Sequence, residues 1–494
     1  MFGSSFFSRL KASANGNPGG LYVLLSAEVP ELMGRFGIMA TLVLYMTTSL
    51  HVSDAFAFTV YSSYLMMSYI TPILGGYLAD RFLGYRWSAI FGSILMIVGD
   101  VFLMSPTLIS IYIGLSLMAV GIGFFSPSLI ALVNALYADK DDGREQAFVL
   151  YYIARNVGAL ISPTVCGFLG VAYGYNYAFL FTGIAMAVGL IIFLLGYNSL
   201  PKEDLKHVKS RGIAICIPVV VTAILIPIII FAFKFDLSVI FLMLGLVVAI
   251  VLFIYLFKIS SSAQKISLVF ILLSIVVIMV FLSVDQLCGA SFNLFVERLI
   301  DRSVFSYELP TSVFFSINPL FMIIFGGFIM AFVNKIKKPD EITAAFIKYI
   351  LAFFIFAVAI FILVLAAVHA TFFGVASGLY IVFSYALCAL AELCIVPIVI
   401  ALIGRLAPIG KVGLMMGLYQ FGDAIASYAT GKIAGSATIT FSLNSAHALQ
   451  RAAFIYRDLF FKITIILLIV GCLLILLRYI VRMLVLRQSS LPSC

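Results

Sequence analysis

Stretches of about 20 apolar residues, the length a helix needs to cross a hydrocarbon core, follow one another from residue 21 to residue 481 of this chain. Short polar or charged joints separate them. Lipid offers backbone polar groups no partners, so only helices or closed barrels can span it. The apolar stretches are continuous rather than alternating, which selects helices. Hydropathy predicts about fourteen spans, at 21–50, 54–79, 87–106, 108–137, 147–172, 176–198, 212–233, 237–257, 266–297, 311–333, 343–369, 372–403, 413–436 and 458–481. They group as six, two and six. The division expected is 1–200 as a first six-helix bundle, 201–265 as a linker with two extra transmembrane helices, and 266–494 as a second six-helix bundle. The two extra spans carry almost no polar side chains and are expected to face lipid.

Composition agrees. The chain has 494 residues, of which 64% are hydrophobic and 10% charged, and a mean hydropathy of +1.19. A soluble protein of this length needs more polar surface than that. No cleavable leader is expected, because the first 20 residues are polar and Gly-rich and the first apolar stretch carries Glu28 and Glu31. The net charge of +9 raises the question of nucleic acid, and its distribution argues against it. Lys and Arg crowd the segments on one side, with Arg81, Arg86, Lys202, Lys206, Lys209, Lys335, Arg405 and Lys411 among them. The other side holds Lys234, Arg298, Arg302, Arg451 and Arg457. By the positive-inside rule both termini are expected in the cytoplasm. The basic balance therefore reports topology, with the lipid bilayer as partner and no nucleic acid. The seven cysteines show no metal-ligand spacing and read as apolar fillers. No metal or cofactor is implied.

Two six-helix halves are the major facilitator plan, with substrate bound midway. The joint GGYLADRFLGYR, at 75–86, carries the superfamily pattern G-x-L-A-D-R-x-L-G-x-R, and GGFIMAFVNKIKKP at 326–339 echoes it in the second half. Here Gly75 and Gly76 permit close helix contact, Asp80 is expected to cap the next helix, and Arg81 and Arg86 face an anionic leaflet.

Five segments carry a more specific resemblance: NPGGLYVLLSAEVPE (17–31) with the joint at 75–86; GIGFFSPS (121–128) and YYIARNVGALISP (151–163); DQLCGASFNLFVERLIDR (285–302); SINPLF (316–321); and AELCIVP, RLAP and GLMMGLYQF (391–421). Together they resemble the proton-dependent oligopeptide transporter family of the major facilitator superfamily, of which the chain looks like a divergent member. The departures are specific. The family's E-x-x-E-R-F in span 1 reads Glu28-Val-Pro-Glu31-Leu32-Met33, so its arginine is lost. Its span-4 lysine is Ser126, and the companion asparagine is Ser128. Phe281 and Tyr419 stand where tryptophans are usual, and Trp87 is the single tryptophan. Arg35, Arg155 and Asp423 are additions.

Ionisable side chains in a bilayer cost about 2.5–3.5 kcal/mol each on insertion scales, so they persist where they pair or line a watery cavity. The candidates are Glu28, Glu31, Arg35, Arg155, Asp285, Glu392 and Asp423. Glu28, Glu31 and Arg35, at i, i+3 and i+7, share one helix face, and Glu31 can pair with Arg35. Proton coupling is assigned to Glu28, Glu31, Glu392 and Asp423. The resemblance implies that Glu392 receives a peptide's amino group. Arg155 either replaces the missing lysine as its partner or staples the first half through the span-1 glutamates. Tyr69, Tyr152, Asn156, Gln286, Asn293, Asn318 and Tyr419 are candidate substrate residues by family match, beside Ser126 at the lysine's position and Arg35, Arg155 and Glu392. Pro72, Pro127, Pro163, Pro319 and Pro397 lie inside spans and are expected to kink them.

The function expected is secondary active transport, by proton-coupled symport of di- or tripeptides or a related small zwitterion, in a bacterial inner membrane. The alternatives are another cargo on the same fold (an amino-acid conjugate, nucleoside, siderophore or anion) or a non-transporting sensor. No nucleophile–base set marks an enzyme.

Overall fold

The structure is a computed structural model and describes residues 19–137, 144–201, 211–304, 307–333, 341–408, 411–441 and 445–489. Asn17 and Pro18, the loop 202–210 and the basic run 335–338 lie outside the described residues.

The first six helices are α1 (Gly19–Leu44, continued by a π-helical turn, Tyr45–Ser49), α2 (Asp54–Leu78), α3 (Tyr85–Leu103), α4 (Leu108–Leu136), α5 (Arg144–Tyr173) and α6 (Tyr175–Leu195). Two more follow, α7 (Arg211–Phe235) and α8 (Ser238–Ile259). The remainder comprises α9 (Ser262–Asp285), α10 (Ser291–Leu299), α11 (Thr311–Phe315), α12 (Ile317–Val333), α13 (Glu341–Phe373), α14 (Leu379–Leu393), α15 (Val396–Leu406), α16 (Val412–Gly435) and α17 (Ala446–Ser489). Four two-residue strands accompany them: β1 (Ile300–Asp301), β2 (Ser303–Val304), β3 (Tyr307–Glu308) and β4 (Ala376–Ser377). β1 pairs in parallel with β4, and β2 antiparallel with β3. Among the described residues, eleven helices are long and apolar enough to cross a membrane. Helices α2, α12 and α16 fall on the other three expected spans.

Local chemistry sets several boundaries. Ser53 accepts a hydrogen bond from the Phe56 N–H and starts α2, and Thr107 does the same for Ser110 at α4. Ser261 and Gln264 form a reciprocal capping box at α9. The cap expected from Asp80 is not made. Residues Ala79–Leu83 continue α2 as a π-helical turn, and α3 starts instead from Gly84 at φ 76°, a left-handed value that glycine adopts without penalty.

The chain forms two compact units, Met1–Ile250 with Asp423–Lys432, and Val251–Gly422 with Ile433–Cys494. In the first, α3 packs on α4, α2 on α4, and α1 on both α5 and α6, while α7 lies against α4. A Cβ on Gly75 would run into the Gly123 carbonyl, so α2 and α4 meet backbone to backbone there. Ser63 of α2 and Ser238 at the start of α8 share a 2.6 Å hydrogen bond. Most of the α8 side chains are exposed, as lipid-facing spans require. In the second unit, α13 packs on α17 and α14, α12 on α14, and α9 on α15.

Two expected spans are broken. The one at 266–297 ends its α-helix at Asp285, passes through a 3-10 turn at Gln286–Gly289 and resumes as α10. The one at 372–403 stops at Leu393 and resumes as α15. Pro397 therefore sits in the first turn of a new helix, where its missing N–H costs nothing, rather than kinking a continuous one.

Candidate functional site: two clusters of buried charge

The first cluster belongs to the first unit. Glu28, Glu31 and Arg35 project from one face of α1, and all three are buried. Arg35 Nη2 lies 2.6 Å from Glu31 Oε1, and its Nε donates to the same oxygen at 3.0 Å. Arg155, on α5, donates from Nη1 to Glu28 Oε1 at 2.8 Å. Gly158 makes that reach possible. A Cβ there would stand 2.5 Å from the Val29 carbonyl, so α5 and α1 are in backbone contact one turn from the ion pair. The Arg155 guanidinium also lies over the Tyr151 ring, 5.9 Å from its centroid. Tyr69 interacts electrostatically with Arg35. The second oxygens of both glutamates, Glu28 Oε2 and Glu31 Oε2, are buried without a hydrogen-bond partner among the described residues. Each carboxylate thus has one oxygen neutralised by an arginine; the second is left for a proton or a further donor at Glu31, and at Glu28 the Tyr151 hydroxyl faces the carboxyl. Of the two expectations for Arg155, the pairing with a span-1 glutamate is the geometry found.

The second cluster belongs to the second unit and is built on the two helix breaks. Asp285 is the last residue of α9, and Glu392 is one residue from the end of α14. They interact electrostatically with one another. Asn318 Nδ2 lies 3.4 Å from Glu392 Oε2, while Asp285 Oδ1 is buried with no hydrogen-bond partner among the described residues. Cys288, Tyr385 and Cys388 complete the surroundings. Among the described residues no Lys or Arg pairs with either carboxyl. The C-terminal end of a helix is the negative end of its dipole. Two acids at two such ends form a place that favours a cation, either a proton or an ammonium group.

The other expected residues divide between the units. Tyr69, Ser126, Tyr152 and Asn156 are half-buried in the first, with Asn156 Nδ2 bonded to the Tyr152 carbonyl at 2.9 Å. Asp423 is buried in the α16 segment that belongs to the same unit. Gln286 and Asn293 are buried in the second unit, and Asn318 and Tyr419 are half-buried there. Asp285 was a candidate buried charge from the sequence, but no coupling or binding role was assigned to it. Only the helix break shows that it stands beside Glu392.

Residues 86–447 match the model of the POT family. The chain is 24% identical over 466 residues to dipeptide and tripeptide permease A of Serratia proteamaculans (strain 568), covering 93% of this chain and 90% of that one. Its fold is similar to that of a bacterial homologue of the human drug peptide transporters PepT1 and PepT2, with a TM-score of 0.80, 23% identity, and 94% of this chain and 98% of that one covered. It is also similar to a POT family transporter solved with 5-aminolevulinic acid, with a TM-score of 0.77, 24% identity, and coverage of 94% and 98%.

Proposed function

The chain belongs to the POT family, a multi-pass membrane transporter with the major facilitator fold, and from that premise we propose that it is a proton-coupled symporter importing di- or tripeptides, or a related small zwitterion, by alternating access. The observation that carries this reading is the pair of arginine contacts made by the two buried α1 glutamates, Glu31 with Arg35 and Glu28 with Arg155. A buried carboxylate beside an arginine stays charged while the cation remains and takes a proton when the cation is drawn away. An anionic substrate group that engages Arg35 or Arg155 does this. The proton then neutralises the released glutamate, and its uptake is tied to substrate binding. Glu392 and Asp285, in the second unit, are suited to a cation, either a proton or an ammonium group. We place the protein in a bacterial inner membrane with both termini cytoplasmic, on the distribution of Lys and Arg.

A second reading, a different small charged cargo on the same fold, is favoured by Leu32 and Ser126. They replace two cations that the family uses for a peptide carboxylate.

The test is uptake into proteoliposomes with a broad panel of substrates, run once with a proton gradient and once as counterflow without one. Glu31→Gln is expected to abolish uphill uptake and retain exchange, because exchange needs only movement of the loaded carrier. Gradient-driven uptake at the wild-type rate in that variant sinks the role given to Glu31. A preferred cargo without a carboxylate selects the second reading.

A further inference from the structure

A carboxyl group outside both clusters stands in the interior of the first unit. Asp100, on α3, is 1% exposed. Thr182 of α6 lies against it, Oγ1 to Asp100 Oδ1 at 2.9 Å, and the same Thr182 Oγ1 is 2.9 Å from the Phe179 carbonyl. Asp100 Oδ2 is buried with no hydrogen-bond partner among the described residues. Gly183 leaves the room. A Cβ there would press on Asp100 Cβ at 3.1 Å. Among the described residues Asp100 has no ion pair. The titratable groups that face it are Cys166 of α5, whose Sγ is 3.5 Å from Ser162 Oγ, and Tyr64 of α2. The α1 neighbour, Gly37, brings no charge to Thr182 and Cys166.

We propose that Asp100 is a further proton-binding site of this protein, a carboxyl that takes and releases a proton inside the first unit. The argument is the inventory of hydrogens at Thr182. A hydroxyl has one hydrogen to donate and lone pairs to accept with, yet Thr182 has two acceptors at equal distance. When Asp100 carries a proton on Oδ1, that O–H donates to Thr182 Oγ1, and the threonine hydrogen goes to the Phe179 carbonyl. When the proton leaves, the threonine hydrogen turns to Asp100 Oδ1. Both forms keep the contact with no movement of heavy atoms, and only the proton is gained or lost. A structural acid with a fixed proton has no need of a partner that can reverse its role. Nor does it need an uncommitted second oxygen. Proton binding at Asp100 stands on this geometry alone. Its part in transport rests on the symport reading.

The experiment is infrared difference spectroscopy of the whole protein in nanodiscs, without substrate, titrated between about pH 5 and about pH 9, a range that brackets ordinary and raised carboxyl values. A protonated-carboxyl C=O component that grows as pH falls is expected from Asp100, beside those of the two charge clusters. That component should be missing in Asp100→Asn and displaced in frequency in Thr182→Val, which keeps the side-chain shape but removes the hydroxyl. Wild-type and Asp100→Asn difference spectra that coincide overturn the proposal. Should Asp100→Asn fail to fold, the wild-type and Thr182→Val spectra decide alone, and an unshifted band overturns it. Uptake separates the two readings. An Asp100 band in a protein whose uptake ignores the proton gradient leaves the site and removes the symport. Gradient-driven uptake without the band removes the site and leaves the symport.

Discussion

The two units solve the same packing problem with different materials. In the first, helices meet through glycines: Gly75 of α2 against the Gly123 carbonyl, Gly92 of α3 against the Gly121 carbonyl, and Gly158 of α5 against Val29 of α1. In the second, aromatic rings fill the space between helices. Phe281 of α9 packs on Phe356 of α13 at 4.5 Å between centroids, and Phe292 and Phe295 of α10 close on Phe460 of α17 at 5.1 and 5.0 Å. The charges follow the packing. Backbone contact at Gly158 brings α5 near enough for Arg155 to bond Glu28, so two of the first unit's buried acids, Glu28 and Glu31, are neutralised by resident arginines. The second unit breaks two helices and sets Asp285 and Glu392 at the breaks, with no resident cation among the described residues. The difference teaches that close helix approach is what fixes an ion pair across two helices. A helix break instead leaves oriented carbonyls and acids to be satisfied by something that comes and goes.

That contrast can be broken by mutation. The largest effect is expected for Arg35→Ala, which strands a buried Glu31. Removing one partner of a buried pair costs about 3 kcal/mol or more, so thermal melting in nanodiscs should fall clearly and Glu31→Gln should partly restore it. Full stability in Arg35→Ala would mean that the pair is not what holds the first unit's acids. Next is Gly75→Ala. Its Cβ meets backbone rather than a flexible side chain, and overpacking of that kind costs about 1–3 kcal/mol. Asp285→Asn should alter melting by less than about 1 kcal/mol, since no resident ion pair is lost, while gradient-driven uptake drops sharply. A large loss of stability there would erase the distinction between the units. The smallest effect is expected for Gly417→Ala in α16. Among the described residues nothing lies within 4 Å of the added methyl group, and replacing a helical glycine by alanine stabilises by about 0.5 kcal/mol. Melting that falls in this variant as far as in Gly75→Ala would show that glycine contact is not special to the first unit.

Much of this was written along the chain. Continuous apolar runs dictated membrane helices and their approximate bounds, because a bilayer accepts little else. The spacing of Glu28, Glu31 and Arg35 dictated one shared face and the Glu31–Arg35 contact, because residues one turn apart are neighbours on any helix. The glycine pair at 75–76 announced a close approach. What the sequence left open lies in contacts between distant segments. Whether Arg155 turns to Glu28 or elsewhere depends on how near α5 comes to α1, which no local pattern encodes. Asp80 looked like a cap and is not one, because a π-helical turn carries the chain past it to Gly84. Hydropathy sees an apolar run and cannot see that the run is interrupted, so the breaks after Asp285 and Leu393, and the meeting of Asp285 with Glu392, belong to the tertiary structure. Asp100 is an acid within an apolar span, yet it was not among the candidates expected from the sequence. Its threonine partner, 82 positions away on another helix, was not visible there either, since a hydrogen bond between helices is decided by packing and only packing could bring it there.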